Sequence, residues 1–248
     1  MNTAWEQLKQ DHRFYIGTDH EHKITHELES LIDHKPACRA LLEAQNEGLA
    51  APDLSITGLL FGKMYSVMTM GMYETIVKYG LVIDASPENI GIECLEKNKM
   101  NYVIREEAVA SIEDLTEEEV KDRIRRFITE NLQPLFQTIA KASNCKSTHM
   151  RSIVSHNLHQ RSLAFAEEHP EKKDFAEKVL HWFTSEELFE DGTVNPLHFK
   201  FRFFEKENGK GTYVRRHCCM KYMLHQGNKK NCCPTCPLIS DEERADRL

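Results

Sequence analysis

Apolar positions recur at helical spacing over most of the chain. Ile24, Leu28, Leu31, Ile32, Leu41 and Leu42 fall three and four apart, with a break expected at Pro36, so the first third reads as helical. A longer stripe runs from Leu54 to Tyr79 through Leu59, Leu60, Met64, Val67, Met68, Met72, Ile76 and Val77, and Gly80 supplies the expected C-cap. Met64, Met68 and Met72 read as adaptable core filling rather than as cofactor ligands. Lys63, Ser66, Thr69 and three glycines interrupt the apolar run from Gly58 to Tyr73, which therefore predicts a buried helix and not a membrane span.

The period then changes. Leu81 to Ile83, Asn89 to Leu95 and Asn101 to Arg105 are short and rich in β-formers, and the polar stretch from Glu96 to Lys99 predicts a hairpin turn. Helix signals return at Thr116, where Glu119 completes a capping box and Leu115 and Val120 can staple around it. Helices are expected from there to about Phe189, punctuated by Pro134 and Pro170. After Pro196 the pattern alternates again. Phe199, Phe201 and Phe203 fall on one face of a strand, predicted as core, with His198, Lys200 and Arg202 on the other. The turn Asn208-Gly209-Lys210-Gly211 returns the chain as a second strand through Tyr213 to Arg216, which leads directly to Cys218.

These elements predict an α+β fold, mostly helical, with small antiparallel hairpins and a cysteine-rich C-terminal segment. A helical and hairpin part over 1–196 is expected to precede a second part over 197–248, as two parts or as one continuous domain. With 248 residues the chain can bury a full core without staples. The N-terminus lacks the basic start and apolar middle of a signal peptide, so a soluble, cytoplasmic protein is expected. A net charge of −7 argues against nucleic acid or an anionic membrane as partner.

Eight cysteines are present. Cys38, Cys94 and Cys145 are scattered, whereas Cys218, Cys219, Cys232, Cys233 and Cys236 crowd into one segment. In a reducing compartment that distribution points to metal or cluster ligation rather than disulfides. A Cys-x-x-Cys pair, Cys233 and Cys236, converges on one ion in zinc and iron–sulfur sites alike, and spacing alone does not name the metal. The vicinal pair Cys218-Cys219 is the discriminating feature, because structural zinc sites seldom begin that way.

The segment Arg215-Arg216-His217-Cys218-Cys219-Met220-Lys221-Tyr222, closing with Cys233-Pro234-Thr235-Cys236-Pro237-Leu238, resembles the carboxy-terminal motif of the FhuF-like ferric-siderophore reductases. Tyr79-Gly80 and Ser86-Pro87-Glu88-Asn89 are similar to a stretch of the related siderophore-synthetase carboxy-terminal domain. The thirteen residues between the pairs exceed that family's spacing, and Cys232 is an additional thiol. The resemblance implies a [2Fe-2S] cluster on Cys218, Cys219, Cys233 and Cys236, with Cys232 as the alternative to Cys233. Cys233 is favoured because it completes the two-residue chelate with Cys236. The implied activity is electron transfer from the cluster to ferric iron held by a hydroxamate or carboxylate siderophore, with an unidentified cellular protein as electron donor.

Lys200, Arg202, Arg215 and Arg216, close to the ligands, and more weakly Arg105 and Arg151, are the candidate contacts for an anionic ferric chelate. The spacing of His22 and His26, with His20 nearby, fits a shared helix face but lacks a supporting carboxylate, and no ligand role is assigned to His217 or His225. Ser155, His156 and His159 lack the surroundings of a hydrolase and read as helix surface. The competing readings are a non-enzymatic module stapled by zinc on the same cysteines and, behind it, an ATP-dependent siderophore synthetase. The latter would need a nucleotide-binding portion for which the chain is expected to be too short, and no P-loop is visible.

Overall fold

The computed structural model describes residues 2–17, 24–189, 192–207 and 209–248. In chain order its elements are α1 (Asn2–His12), β1 (Phe14–Ile16), β2 (His26–Glu27), α2 (Leu28–Asp33), α3 (Lys35–Leu49), α4 (Leu54–Tyr79), β3 (Leu81–Ile83), β4 (Ile90–Leu95), β5 (Lys99–Ile104), β6 (Val109–Ser111), α5 (Glu117–Arg126), α6 (Gln133–Ser143), α7 (Ser147–Glu168), α8 (Lys173–Thr184), β7 (Arg202–Glu205), β8 (Gly211–Val214) and α9 (Asp241–Arg247). The fold is α+β and mostly helical, as the periodicity predicts.

The axis of the molecule is α4. Asp53 starts it by accepting from the backbone N–H groups of Ser55 and Ile56, and Gly80, at φ 64°, ends it in the left-handed conformation that glycine adopts without steric cost. Its sides are buried nearly all round, with Phe61, Tyr65, Met68 and Tyr73 fully enclosed. The methionines are core: Met68 and Met72 are buried, and Met64 packs against the same cluster. Helix α7 crosses close to Gly62, where a Cβ would sit 2.5 Å from Met150 Cγ, so only glycine admits that approach.

The predicted hairpin is present as β4 and β5, in register Ile90↔Ile104 to Leu95↔Lys99. It is the centre of a four-stranded sheet in the order β1-β5-β4-β2, with β1 parallel to β5. Neither edge strand is visible in the sequence, because three- and two-residue strands carry no periodicity of their own. Ile24, expected on the first helix, precedes β2 instead, and His26 lies in β2 rather than on a helix face. His20 and His22 lie outside the described residues, as does Asn208 of the predicted turn. β3 pairs with β6 as a separate antiparallel ribbon.

Thr116 and Glu119 form the predicted capping box of α5. Pro134 does not break the helix that follows. A π-helical segment, Phe127–Leu132, widens the turn ahead of it and carries the chain from α5 into α6. In this segment buried Asn131 accepts from Tyr65 Oη at 2.6 Å and donates to the Ala85 carbonyl at 2.7 Å.

One apolar core takes in residues from Leu8 to Leu197, and a separate small cluster gathers Cys232, Cys236 and Ile239. No helix among the described residues is long and apolar enough to cross a membrane.

The C-terminal hairpin is shorter than its alternation suggests. β7 begins only at Arg202, and Phe203, expected in the core, is 43% exposed. Phe201 packs edge-on against His156 and His159 of α7. β8 is fixed to α7 by Gln160, whose side-chain oxygen accepts from Tyr213 N–H at 2.6 Å and from the Thr212 hydroxyl at 3.0 Å.

Candidate metal centre

From β8 the chain enters Arg215, whose backbone N–H donates to the Thr235 carbonyl at 2.9 Å and ties the first cysteine pair to the second. Met220, at φ 58°, turns the backbone directly after Cys218-Cys219, and its N–H donates to Cys218 Sγ at 3.3 Å. Two short 3₁₀ turns, Lys221–His225 and Lys229–Asn231, bring the chain back to Cys232. Cys233 and Cys236 face each other across a turn closed by Cys236 N–H to Cys233 O at 2.9 Å.

The cysteines of the segment lie near one another, with Cys219 beside Cys218 in the chain and within reach of Arg215. Cys236 Sγ lies 3.5 Å from Cys218 Sγ, and both belong to one small cluster with Cys232, Cys233, Tyr222 and Ile239. Among the described residues no three or more His, Cys, Asp or Glu side chains are laid out around a single ion. The donor chemistry nevertheless fits a thiolate-held centre, since soft sulfur ligands are in mutual hydrogen-bond contact and partly withdrawn from water.

The thiols are electrostatically unequal. Hydrogen bonding from Cys218 pulls Cys219 down to about 5 against the effect of burial, with the charges of Lys63 and Arg215 assisting. Cys236 is likewise held low, by its hydrogen bonds with Cys218 and Cys233. Cys218 and Cys233 are raised, chiefly by hydrogen bonding with neighbouring cysteines. Burial leads in raising Cys232 to about 11. Lys63 of α4, absent from the sequence-based candidates, adds positive charge at the base of the site, although burial pushes its own pKa down.

Behind the sulfurs lies Arg215, 8% exposed. Its Nη1 is 3.6 Å from Cys219 Sγ and 3.7 Å from Cys233 Sγ. Its Nη2 donates to Asn157 Oδ1 at 3.3 Å and its Nε to His156 Nδ1 at 3.4 Å. His156, expected on a helix surface, is 1% exposed. Burial, with the Arg215 charge beside it, lowers its pKa to about 4, so the ring is neutral. Nδ1 can then accept from Arg215 while Nε2–H donates to Tyr213 O at 2.8 Å. Ser155 is also buried, its hydroxyl donating to the Leu197 carbonyl, and no nucleophile–base pair forms with His159, whose Nδ1 meets the Ser155 carbonyl.

The other face of the loop is held by α9. Ser240 and Glu243 make a capping box, and Arg244, 1% exposed, reaches back to the carbonyls of Pro234, Cys236 and Ile239. Arg247 donates to the Cys232 carbonyl at 2.6 Å. The capping box is legible in Ser240-x-x-Glu243, but nothing in the sequence distinguishes Arg244 from a solvated arginine.

The candidate substrate contacts separate. Arg202 is held by both oxygens of Asp241 at 2.8 Å, and Arg215 is turned inward. Arg216 and Lys200 are exposed. Arg151 donates to the Pro196 carbonyl at 3.3 Å. Arg105 follows β5, and no hydrogen bond or ion pair among the described residues joins it to the cysteine loop. His217 stacks on His149 at 4.1 Å, beside Cys218, and His225 is exposed.

No family model matches the chain, and no curated protein does. Among solved structures it is similar to aerobactin synthetase IucC from a hypervirulent pathotype of Klebsiella pneumoniae, at 11% identity and a TM-score of 0.46. The overlap takes in 69% of this chain but only 35% of the synthetase, about a third of that protein's length. At that level of likeness neither family nor function passes from one chain to the other.

Proposed function

We propose that the protein is an iron–sulfur oxidoreductase that reduces ferric iron held by a hydroxamate or carboxylate siderophore, releasing ferrous iron in the cytoplasm. The observation that carries this reading is the convergence of Cys218, Cys219, Cys233 and Cys236 above a buried arginine that donates toward two of them. These four thiols would hold a [2Fe-2S] cluster, and the motif around them resembles that of the ferric-siderophore reductases.

When bound, such a cluster supplies a one-electron donor and acceptor. The ferric chelate is the substrate: its iron gains one electron, which a cellular donor protein must replace. Hard oxygen ligands hold ferrous iron less firmly than ferric iron, so reduction loosens the chelate. The chain's own residues keep the thiols together, exclude water from Cys219 and Cys236, and place the positive charges of Lys63 and Arg215 against the sulfurs.

Anaerobic purification with iron, sulfide and zinc quantitation, and visible spectra before and after dithionite, tests the reading. About two irons and two sulfides per chain, with bleaching on reduction and recovery on adding a ferric siderophore, is the expected result. A colourless chain with about one zinc, still cluster-free after anaerobic reconstitution, would reject it in favour of a zinc-stapled module.

A further inference from the structure

The two arginines buried around the cysteine loop differ in their counter-charge. Arg244 has Asp241 at 3.3 Å. Arg215 forms no ion pair with a carboxylate among the described residues; its partners are the neutral His156 ring, the Asn157 amide and two cysteine sulfurs. A guanidinium withdrawn from water without an anion is strongly disfavoured. Among the described residues that touch the guanidinium, those able to supply negative charge are Cys219 and Cys233, which share Nη1, a group with one hydrogen for each sulfur.

Its orientation is fixed from outside. Asn157 Nδ2 donates to Ser66 Oγ at 2.7 Å, and Ser66 donates to the Lys63 carbonyl at 2.6 Å. Together with the His156–Tyr213 bond this fastens the guanidinium to α4, α7 and β8 before any ligand arrives. Such preorganisation belongs to groups that hold and tune metal ligands. Among the described contacts none joins Arg215 to Cys232, whose carbonyl is held on the far side by Arg247.

We propose that Arg215 is a positioning residue: it holds Cys219 and Cys233 in place as ligands, selects Cys233 over Cys232, and raises the reduction potential of the centre they carry. The last part rests on the iron–sulfur reading above. Reduction adds one negative charge at the sulfurs, which a fixed cation with two N–H donors stabilises more than it stabilises the oxidised form.

The test uses the full-length chain, reconstituted anaerobically with ferrous iron and sulfide, as wild type and as R215M, R215K, N157A, C232A and C233A. Metal content and midpoint potential are measured. C232A is expected to keep the centre and C233A to lose it. R215M should shift the one-electron equilibrium toward the oxidised form at least tenfold, about 59 mV. R215K, which keeps the charge without the fork, should shift it less, and N157A should move it in the same direction by a smaller amount. Should R215M fail to fold by circular dichroism, R215K and N157A carry the measurement.

A wild-type potential in all three variants, or loss of the centre in C232A but not in C233A, would overturn the proposal. If the wild type takes up zinc and no iron, the reductase reading fails separately. The same alanine pair, scored by zinc content, then still decides between Cys232 and Cys233, and R215M should lose zinc to a chelator faster than wild type.

Discussion

The helical body around α4 and the cysteine-bearing end are held together by opposite means. Around α4 the contacts are apolar and close-packed: Phe61 stacks on Tyr65, Tyr65 meets Phe136 and Tyr102 edge to face, and Gly62 admits Met150. The cysteine end has little apolar area to bury. Cys232, Cys236 and Ile239 form its small cluster, and arginines bonded to loop carbonyls fix its shape. The first arrangement is stabilised in proportion to the surface removed from water, and the second by satisfying polar groups that would otherwise be buried alone. Single substitutions should therefore spread through the first region and stay local in the second.

The largest effect is expected in the body. Phe61→Ala opens a cavity beside Tyr65 in a fully buried position and should cost about 3–5 kcal/mol in urea unfolding, carrying the cysteine end down with it. Arg244→Ala removes the donor to the carbonyls of Pro234, Cys236 and Ile239, each left in a part-buried loop. A local loss of about 2–3 kcal/mol is expected. Iron or zinc should be released more readily to a chelator while the thermal midpoint of the body changes little. Equal loss of body stability in both variants would erase the distinction.

The same contrast explains what could be read from the sequence. α4, the β4–β5 hairpin and the start of α5 were legible because each carries a periodic pattern bounded by a cap or a turn: Asp53 and Gly80, Glu96 to Lys99, Thr116 and Glu119. The cysteines were legible because their spacing is itself the signal. β1 and β2 were not, since strands this short take their place from the hairpin they join. The inward turn of Arg215, the burial of His156 and the grip of Arg244 were hidden for another reason. Nothing local distinguishes a buried polar side chain from a solvated one when its partners lie 57 or 59 positions away, as with His156 and Tyr213 or Arg215 and His156, or when, as for Arg244, they are backbone carbonyls that any sequence offers. The alternating phenylalanines misled for the converse reason: β7 lies at the rim, where a strand face has no core to meet.

One polar cluster lies inside the body and sharpens the comparison through pH. Glu74, buried in α4, has His12 Nε2 at 3.0 Å from one carboxylate oxygen and pairs with Arg161 through the other. Burial alone would raise its pKa, but the hydrogen bonds and charges of His12 and Arg161 outweigh it and leave the carboxyl below its usual value of 4.5. A lowered folded-state pKa contributes stability that is present above the unfolded value and lost as pH falls through the folded one. The urea midpoint of wild type should therefore drop between pH 6 and pH 3 more steeply than that of Glu74→Gln, which has no carboxylate there to titrate. Parallel profiles would show that the pair does not stabilise the body.

The smallest effect is expected at Arg202, and it separates structure from recognition. Arg202 shares Asp241 with Arg244, so it could be a strut of the α9 clamp or a cation available to an anionic chelate. Arg202 and Asp241 are both about half exposed, so solvent and salt screen the pair and its contribution to folding is small. Arg202→Ala should accordingly leave folding and metal content near wild type. If Arg202 served only the clamp, Asp241→Asn would weaken metal retention as much as Arg202→Ala does, and neither would alter the KM for a ferric siderophore. If instead it met the substrate, Arg202→Ala would raise KM several-fold with kcat unchanged. Asp241→Asn, by freeing the guanidinium, would leave KM unchanged or lower it. The bidentate contact favours the first pattern, which leaves exposed Arg216, next to the first ligands, as the better placed cation for an anionic chelate.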